Sequence, residues 1–246
     1  MTINENDLLL LSGNDIPFIG AQLSIHQPTI KEIAYIGEET FFIGCDLINF
    51  SKNSLEEKDK KALEQQTNFD ILLAILREHN AVMVKNRDCV LLVLALLFPD
   101  FTIEIETKGI KLAKEKEEHF ITNDNFEEFK MIFNKVFAFK KNEAQEYNPQ
   151  GNLAKSIADK LKRRKQTLAN IKKTTQKVDI FSRYVSILAV GEQKNMQDLL
   201  NYTVYQLFDE FERYQLKIHY DIYLQAKMAG AKDLKDVDDW MKDIHS

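Results

Sequence analysis

The chain has 246 residues, of which 44% are hydrophobic and 29% charged, with only 8 glycines and 4 prolines, a composition that excludes collagen-like and disordered chains and disfavours a β-sandwich. Its formal net charge of −5 argues against a dedicated nucleic-acid binder. The longest apolar run, Cys89 to Phe98, is too short to cross a bilayer.

Glu5 and Asp7 precede Leu8 to Leu11, so the amino terminus lacks the basic start of a secretory leader. Leu23, Ile25 and Gln27 alternate with Ser24 and His26 as in a short strand, and Pro28 suits the first turn of a helix reaching Ile36. Gly37 ends it. The next helix, Glu38 to Phe50, turns Phe41, Phe42, Cys45, Leu47 and Ile48 inward, and two more follow, Asn68 to Glu78 and Arg87 to Phe98. The apolar length of the last marks it as central. Cys45 and Cys89 read as buried thiols, which fits a reducing compartment.

Beyond Pro99 the period shortens to two. Phe101, Ile103 and Ile105 alternate with polar residues, Lys108 and Gly109 mark a turn, and Ile110 and Leu112 follow, which is a small hairpin. Asn123 and Asp124 cap a helix carrying Phe126, Phe129, Ile132, Phe133, Val136 and Phe137. Residues 140–152 then have linker composition. The expected fold is mainly α with a small antiparallel β hairpin in two subdomains: an α+β amino-terminal domain over 1–139 and a helical carboxy-terminal domain over 153–246.

The second part opens with a cationic block. Residues 154–177 hold nine Lys or Arg, Arg163 and Arg164 among them, against Asp159 alone, while Leu153, Ile157, Leu161, Leu168 and Ile171 keep helical spacing. An exposed solvated face, or one complementary to an acidic surface, accounts for this pattern. Phosphate binding is the alternative, but the helix has no interleaved aromatics for base stacking. An apolar helix from Phe181 to Val190 ends at Gly191.

The longest element runs from Thr203 to Ala229. Val204, Leu207, Phe208, Phe211, Tyr214, Ile218, Ile222 and Ala226 recur at steps of three and four, Tyr202, Tyr205, Tyr220 and Tyr223 widen the stripe, Thr203 and Gln206 have capping-box spacing, and Gly230 closes the end. Tyr205, Phe208 and Tyr220 on this helix, with Trp240 after it, are the candidate partner anchors, because Tyr and Trp combine a large rigid surface with a hydrogen-bonding group.

Enzyme signatures are missing: the sequence has no phosphate loop, dinucleotide fingerprint, nucleophile elbow, HExxH or CxxC, and its histidines are scattered. His26 reads as a structural histidine rather than a catalytic or metal-binding one. Asp236, Asp238, Asp239 and Asp243 read as a helix-capping tail. No catalytic residue, cofactor or metal is expected.

The order QGNLAKSIADKLKRRKQTLANIKK, a short apolar helix, DLLNYTVYQLFDEFERYQLKIHYDIYLQAKMAGAKDL and WMKDIH resembles proteins of bacteriophage tail-gene clusters, including tail assembly chaperones. The amino-terminal IHQPTIKEIAYIGEETFF is similar in style. The resemblance implies a non-enzymatic protein that keeps the tape-measure protein soluble and assists tail-tube subunits. The expected place is the host cytoplasm during assembly, with self-association open and no membrane or nucleic-acid partner expected from the residues. A structural tail or neck protein retained in the virion, and a nucleic-acid-binding accessory protein using the basic helix, are the alternatives.

Overall fold

The structure, a computed structural model, describes residues 7–52, 63–78, 81–139, 179–230 and 240–241. Its elements in chain order are α1 (Asp7–Ser12), β1 (Ile16–Phe18), β2 (Leu23–Ile25), α2 (Ile30–Ile36), α3 (Glu38–Ile48), α4 (Asn68–Arg77), α5 (Ala81–Leu97), β3 (Thr102–Ile105), β4 (Ile110–Lys114), β5 (Glu117–Ile121), α6 (Phe126–Val136), α7 (Ile180–Gly191), α8 (Met196–Leu200) and α9 (Val204–Met228). The fold is mainly α with small antiparallel β elements, as its composition and periods predict.

Helix α5 is the spine. Val90, Val93, Leu94 and Leu97 are fully buried, and α3 lies closely along it. Gly44 makes that approach feasible: a Cβ there would sit 2.5 Å from the Cys89 carbonyl oxygen. Cys45 and Cys89 are free and buried, and burial, reinforced by Asp46, pushes the Cys45 thiol well up.

Three helices begin with the same device. In α2, α4 and α9 a threonine (Thr29, Thr67, Thr203) accepts from the backbone N–H three residues on, and the residue there (Glu32, Asp70, Gln206) accepts from the threonine N–H. The first of these corrects the expected start of α2. Pro28 precedes the cap, so the first helical residue is Ile30. Gly37, at φ 84°, both ends α2 and caps α3. For α6 the cap is Asn125, not Asn123 or Asp124, and its Oδ1 accepts from Thr122 N–H at 2.8 Å.

The expected hairpin after Pro99 is a three-stranded sheet in the order β3-β4-β5, with Ile103 opposite Leu112 and Leu112 opposite His119. On it Lys111 meets Glu118 at 2.7 Å and Glu104 at 3.4 Å, and the Glu118 contact raises its ammonium above the ordinary lysine value. A second hairpin, β1–β2, pairs Ile16 with Ile25.

Fourteen of the sixteen phenylalanines lie in or against the core, and their rings form a path through it. Phe18 meets Phe129 at 6.0 Å, Phe129 meets Phe133 at 5.8 Å, Phe133 meets Phe137 at 4.9 Å and Phe137 meets Phe41 at 5.0 Å. From Phe41 the path crosses to Phe181 at 5.7 Å, then Phe208 at 6.1 Å. The described helices of the expected 153–246 domain, α7 to α9, thus contribute to the core of residues 1–139 rather than to one of their own. Met1–Phe139 and Ile180–Ser246 accordingly belong to one compact unit. The expected linker, 140–152, and the basic segment, 154–177, lie outside the described residues.

Candidate interaction surface

Helix α9 has a clamped root and, among the described residues, a thinly covered end. At the root, Thr203 pairs with Thr29 in an isolated antiparallel bridge, Ile30 N–H donates to the Tyr202 carbonyl at 2.9 Å, and Gln206 Nε2 donates to the Leu11 carbonyl at 2.7 Å. Val204 and Leu207 are buried. Phe211 stacks on Tyr184 with ring centroids 3.7 Å apart, and Tyr184 meets Phe208 edge-on at 5.3 Å. Lys194 ties the loop after α7 to the helix, pairing with Glu210 and with Glu192 at 3.4 Å while its ammonium lies over the Tyr202 ring.

Cover thins after Tyr214. Ile222 is 57% exposed, Leu224 37% and Met228 88%, although Ile218, Ile222 and Ala226 continue at helical spacing the stripe that Val204, Leu207 and Phe211 bury. A helix with apolar residues on several sides is normally enclosed. This one carries them out of the core.

Beside the emerging helix lies an open groove of about 510 Å³, lined by Gly191 to Lys194 on one wall and by Tyr214, Lys217, Ile218 and Asp221 on the other. Gly191 lets Tyr214 pack against it across the groove, since a Cβ there would land on the Tyr214 hydroxyl. A second groove of about 380 Å³ runs between Leu11, Glu192 and Tyr202 on one side and Gln206, Asp209, Glu210 and Arg213 on the other.

The anchors expected from sequence separate on this geometry. Tyr205 is 6% exposed and belongs to the core, which corrects its reading as an anchor: the N-terminal half of the aromatic stripe faces inward. Phe208 is half-buried between Phe181 and Tyr184. Tyr220 is half-buried on the distal half, and Trp240 is accessible, its carbonyl accepting from Arg213 Nη1 at 3.2 Å. Arg163 and Arg164 lie outside the described residues. Sequence periodicity missed that Ile222, on the stripe, and Leu224 and Met228, on other sides of the helix, are exposed, because it shows which residues share a face and not where the neighbouring body ends.

His26 sits between two carboxylates, with Nδ1 3.0 Å from Asp15 and Nε2 3.5 Å from Glu32. Its geometry is that of a brace for the α2 cap. Among the described residues, no group of three or more His, Cys, Asp or Glu could hold a metal ion, and no helix is long and apolar enough to cross a membrane.

Residues 170–245 match the family model for the YomV second domain, a phage-derived, SPBc2 prophage-like family. The chain is similar to that domain over less than a third of its length, a span containing α7, α8 and α9. This supports a phage protein. No curated protein and no solved structure matches.

Proposed function

We propose that this chain is a non-enzymatic phage assembly protein that holds an elongated helical client, a tape-measure or tail-tube protein, against the distal half of α9. One observation carries the reading: a stripe that seals the core at its root becomes half-buried at Ile218 and Ala226 and exposed at Ile222, and Leu224 and Met228 are exposed on other sides of the same helical end. A client helix laid along such a surface is recognised by apolar anchors at three- and four-residue steps. The phage-derived match over α7 to α9 supports a phage protein, and the resemblance to tail-cluster proteins motivates a tail protein as the client.

Co-expression with the tape-measure and tail-tube proteins of the same gene cluster tests it. Ile222→Asp and Met228→Asp are expected to weaken co-purification at least about tenfold with helix content and melting retained. Tyr205→Ala is expected instead to lower the melting temperature, because truncating a buried aromatic costs about 3–5 kcal/mol. Capture unaffected by either distal substitution sinks the proposal, and stoichiometric protein in finished particles replaces the chaperone role with a structural one.

A further inference from the structure

We infer that the carboxy-terminal segment of this chain, residues 231–246, seats antiparallel on a second face of α9, a face headed by Arg213. Where the chain reappears after the helix carries the inference. Beyond Gly230 the next described residues are Trp240 and Met241, and the Trp240 carbonyl accepts from Arg213 Nη1 at 3.2 Å. Arg213 lies about 25 Å of helix rise back from Gly230, and the ten steps from Gly230 to Trp240 reach at most about 36 Å when fully extended. The chain thus doubles back beside the helix. Gly230, at φ 84°, is suited to the reversal.

The receiving face is distinct from the stripe that seals the core. Arg213, Leu216, Tyr220 and Tyr223 recur at steps of three and four, roughly 140° around the helix from Ile218, Ile222 and Ala226. Leu216, Tyr220 and Tyr223 are all half-buried there, whereas Ile222 on the stripe is 57% exposed. The segment has apolar residues to match: Leu234, Val237, Met241 and Ile244 recur at the same steps, with Trp240 beside Met241. Charge agrees. From Arg213 to Met228 the helix carries Arg213, Lys217 and Lys227 against Asp221 alone, while residues 231–246 carry Asp233, Asp236, Asp238, Asp239 and Asp243 against Lys232, Lys235 and Lys242. A cationic helix half and an anionic segment attract, and the Trp240 contact with Arg213 sets the direction. Tyr220 and Trp240 then anchor this chain's own terminal segment, and the surface left to a client is the side of α9 that carries Ile222.

Trp240 is the chain's single tryptophan, so its emission reports the seat directly. The full-length protein is expected to emit at shorter wavelength than free tryptophan and to be quenched less by acrylamide. Leu216→Asp and Tyr220→Asp set a carboxylate against the acidic segment and should shift the emission to the red and raise the quenching with helix content retained, while Ile222→Asp changes neither. Hydrogen exchange of the full chain reads the seat from the other partner. Trp240→Ala, which leaves α9 itself intact, should speed exchange at the amides of 216–228 about tenfold and leave those of 204–211 unchanged. Wild-type emission and quenching equal to those of free tryptophan, an equal response to Ile222→Asp, or unchanged exchange at 216–228 in Trp240→Ala overturns the inference. It fails separately from the proposed function: a seated segment in a chain that captures no tape-measure or tail-tube protein removes the function alone, and capture by a chain whose Trp240 is free removes the seat alone.

Discussion

Two glycines show how far the consequence of a single atom depends on what it strikes. At Gly44 an added Cβ meets the backbone carbonyl of Cys89 at 2.5 Å and Val93 Cγ2 at 2.6 Å, so α3 and the spine helix α5 must move apart. At Gly191 it meets the outer ring of Tyr214, a side chain beside an open groove that can rotate away. Gly44→Ala is therefore expected to cost about 2–3 kcal/mol in denaturant unfolding, at the upper end for overpacking, and Gly191→Ala under about 1.5 kcal/mol. Equal losses would show that the α3–α5 crossing relaxes as easily as a tyrosine turns. The contrast is invisible in sequence, where both glycines lie in apolar helical stretches. What separates them is the neighbour: another helix's backbone in one case, a tyrosine ring in the other.

At the scale of elements, the helix caps carry most of the acid sensitivity that can be assigned. Burial works against ionisation of Glu32, but hydrogen bonds from the Thr29 backbone and hydroxyl, with His26 nearby, outweigh it and hold the carboxyl below its ordinary value. Asp70 is held low by the Thr67 N–H and hydroxyl. Carboxyls depressed on folding add stability that is present above their unfolded values, near pH 4, and that is lost as pH falls through the lower folded values. The melting temperature of wild type is thus expected to fall with acidification below about pH 4, and that of Glu32→Gln and Asp70→Asn to fall less steeply there; parallel curves would remove the caps from the acid response. These caps also show what a sequence displays. Thr203 and Gln206 announced α9 to the residue, while the same spacing at Thr29 and Glu32 outranks the proline that suggests an earlier start. Strand β5 escaped because the turn before it contains Glu115 at φ 52°, a conformation usually signalled by Gly or Asn, so the run KEKEE carries no turn signature. Helices α1 and α8, of six and five residues, are too short for a helical period to register.

For the whole molecule, the decisive feature is that residues on either side of 140–179 share one core. Composition changes sharply at 140–152, and a domain boundary is a natural reading of it, but polar sequence says nothing about what the helices beyond it pack against. The ring path from Phe41 to Phe181 and Phe208, the bridge between Thr29 and Thr203, and the Gln206 contact to Leu11 all cross that gap. The same limit applied to the candidate surface: the stripe on α9 was legible from Val204 to Ala226, yet its division into a sealed root and a thinly covered end depends on where α1, α6 and α7 stop. If the core is shared, the covalent link is dispensable once folding is complete. A protease recognition site inserted between residues 140 and 152 and cleaved in the native protein should leave the two fragments co-eluting at the size of the intact chain and melting in one transition. Buried apolar side chains from both fragments, at about 1.5–3 kcal/mol each, outweigh the lost connection, because the entropy of loop closure grows only slowly with length. Fragments that separate under native conditions, each retaining its helical signal, would mean that the helices after 180 hold a core of their own.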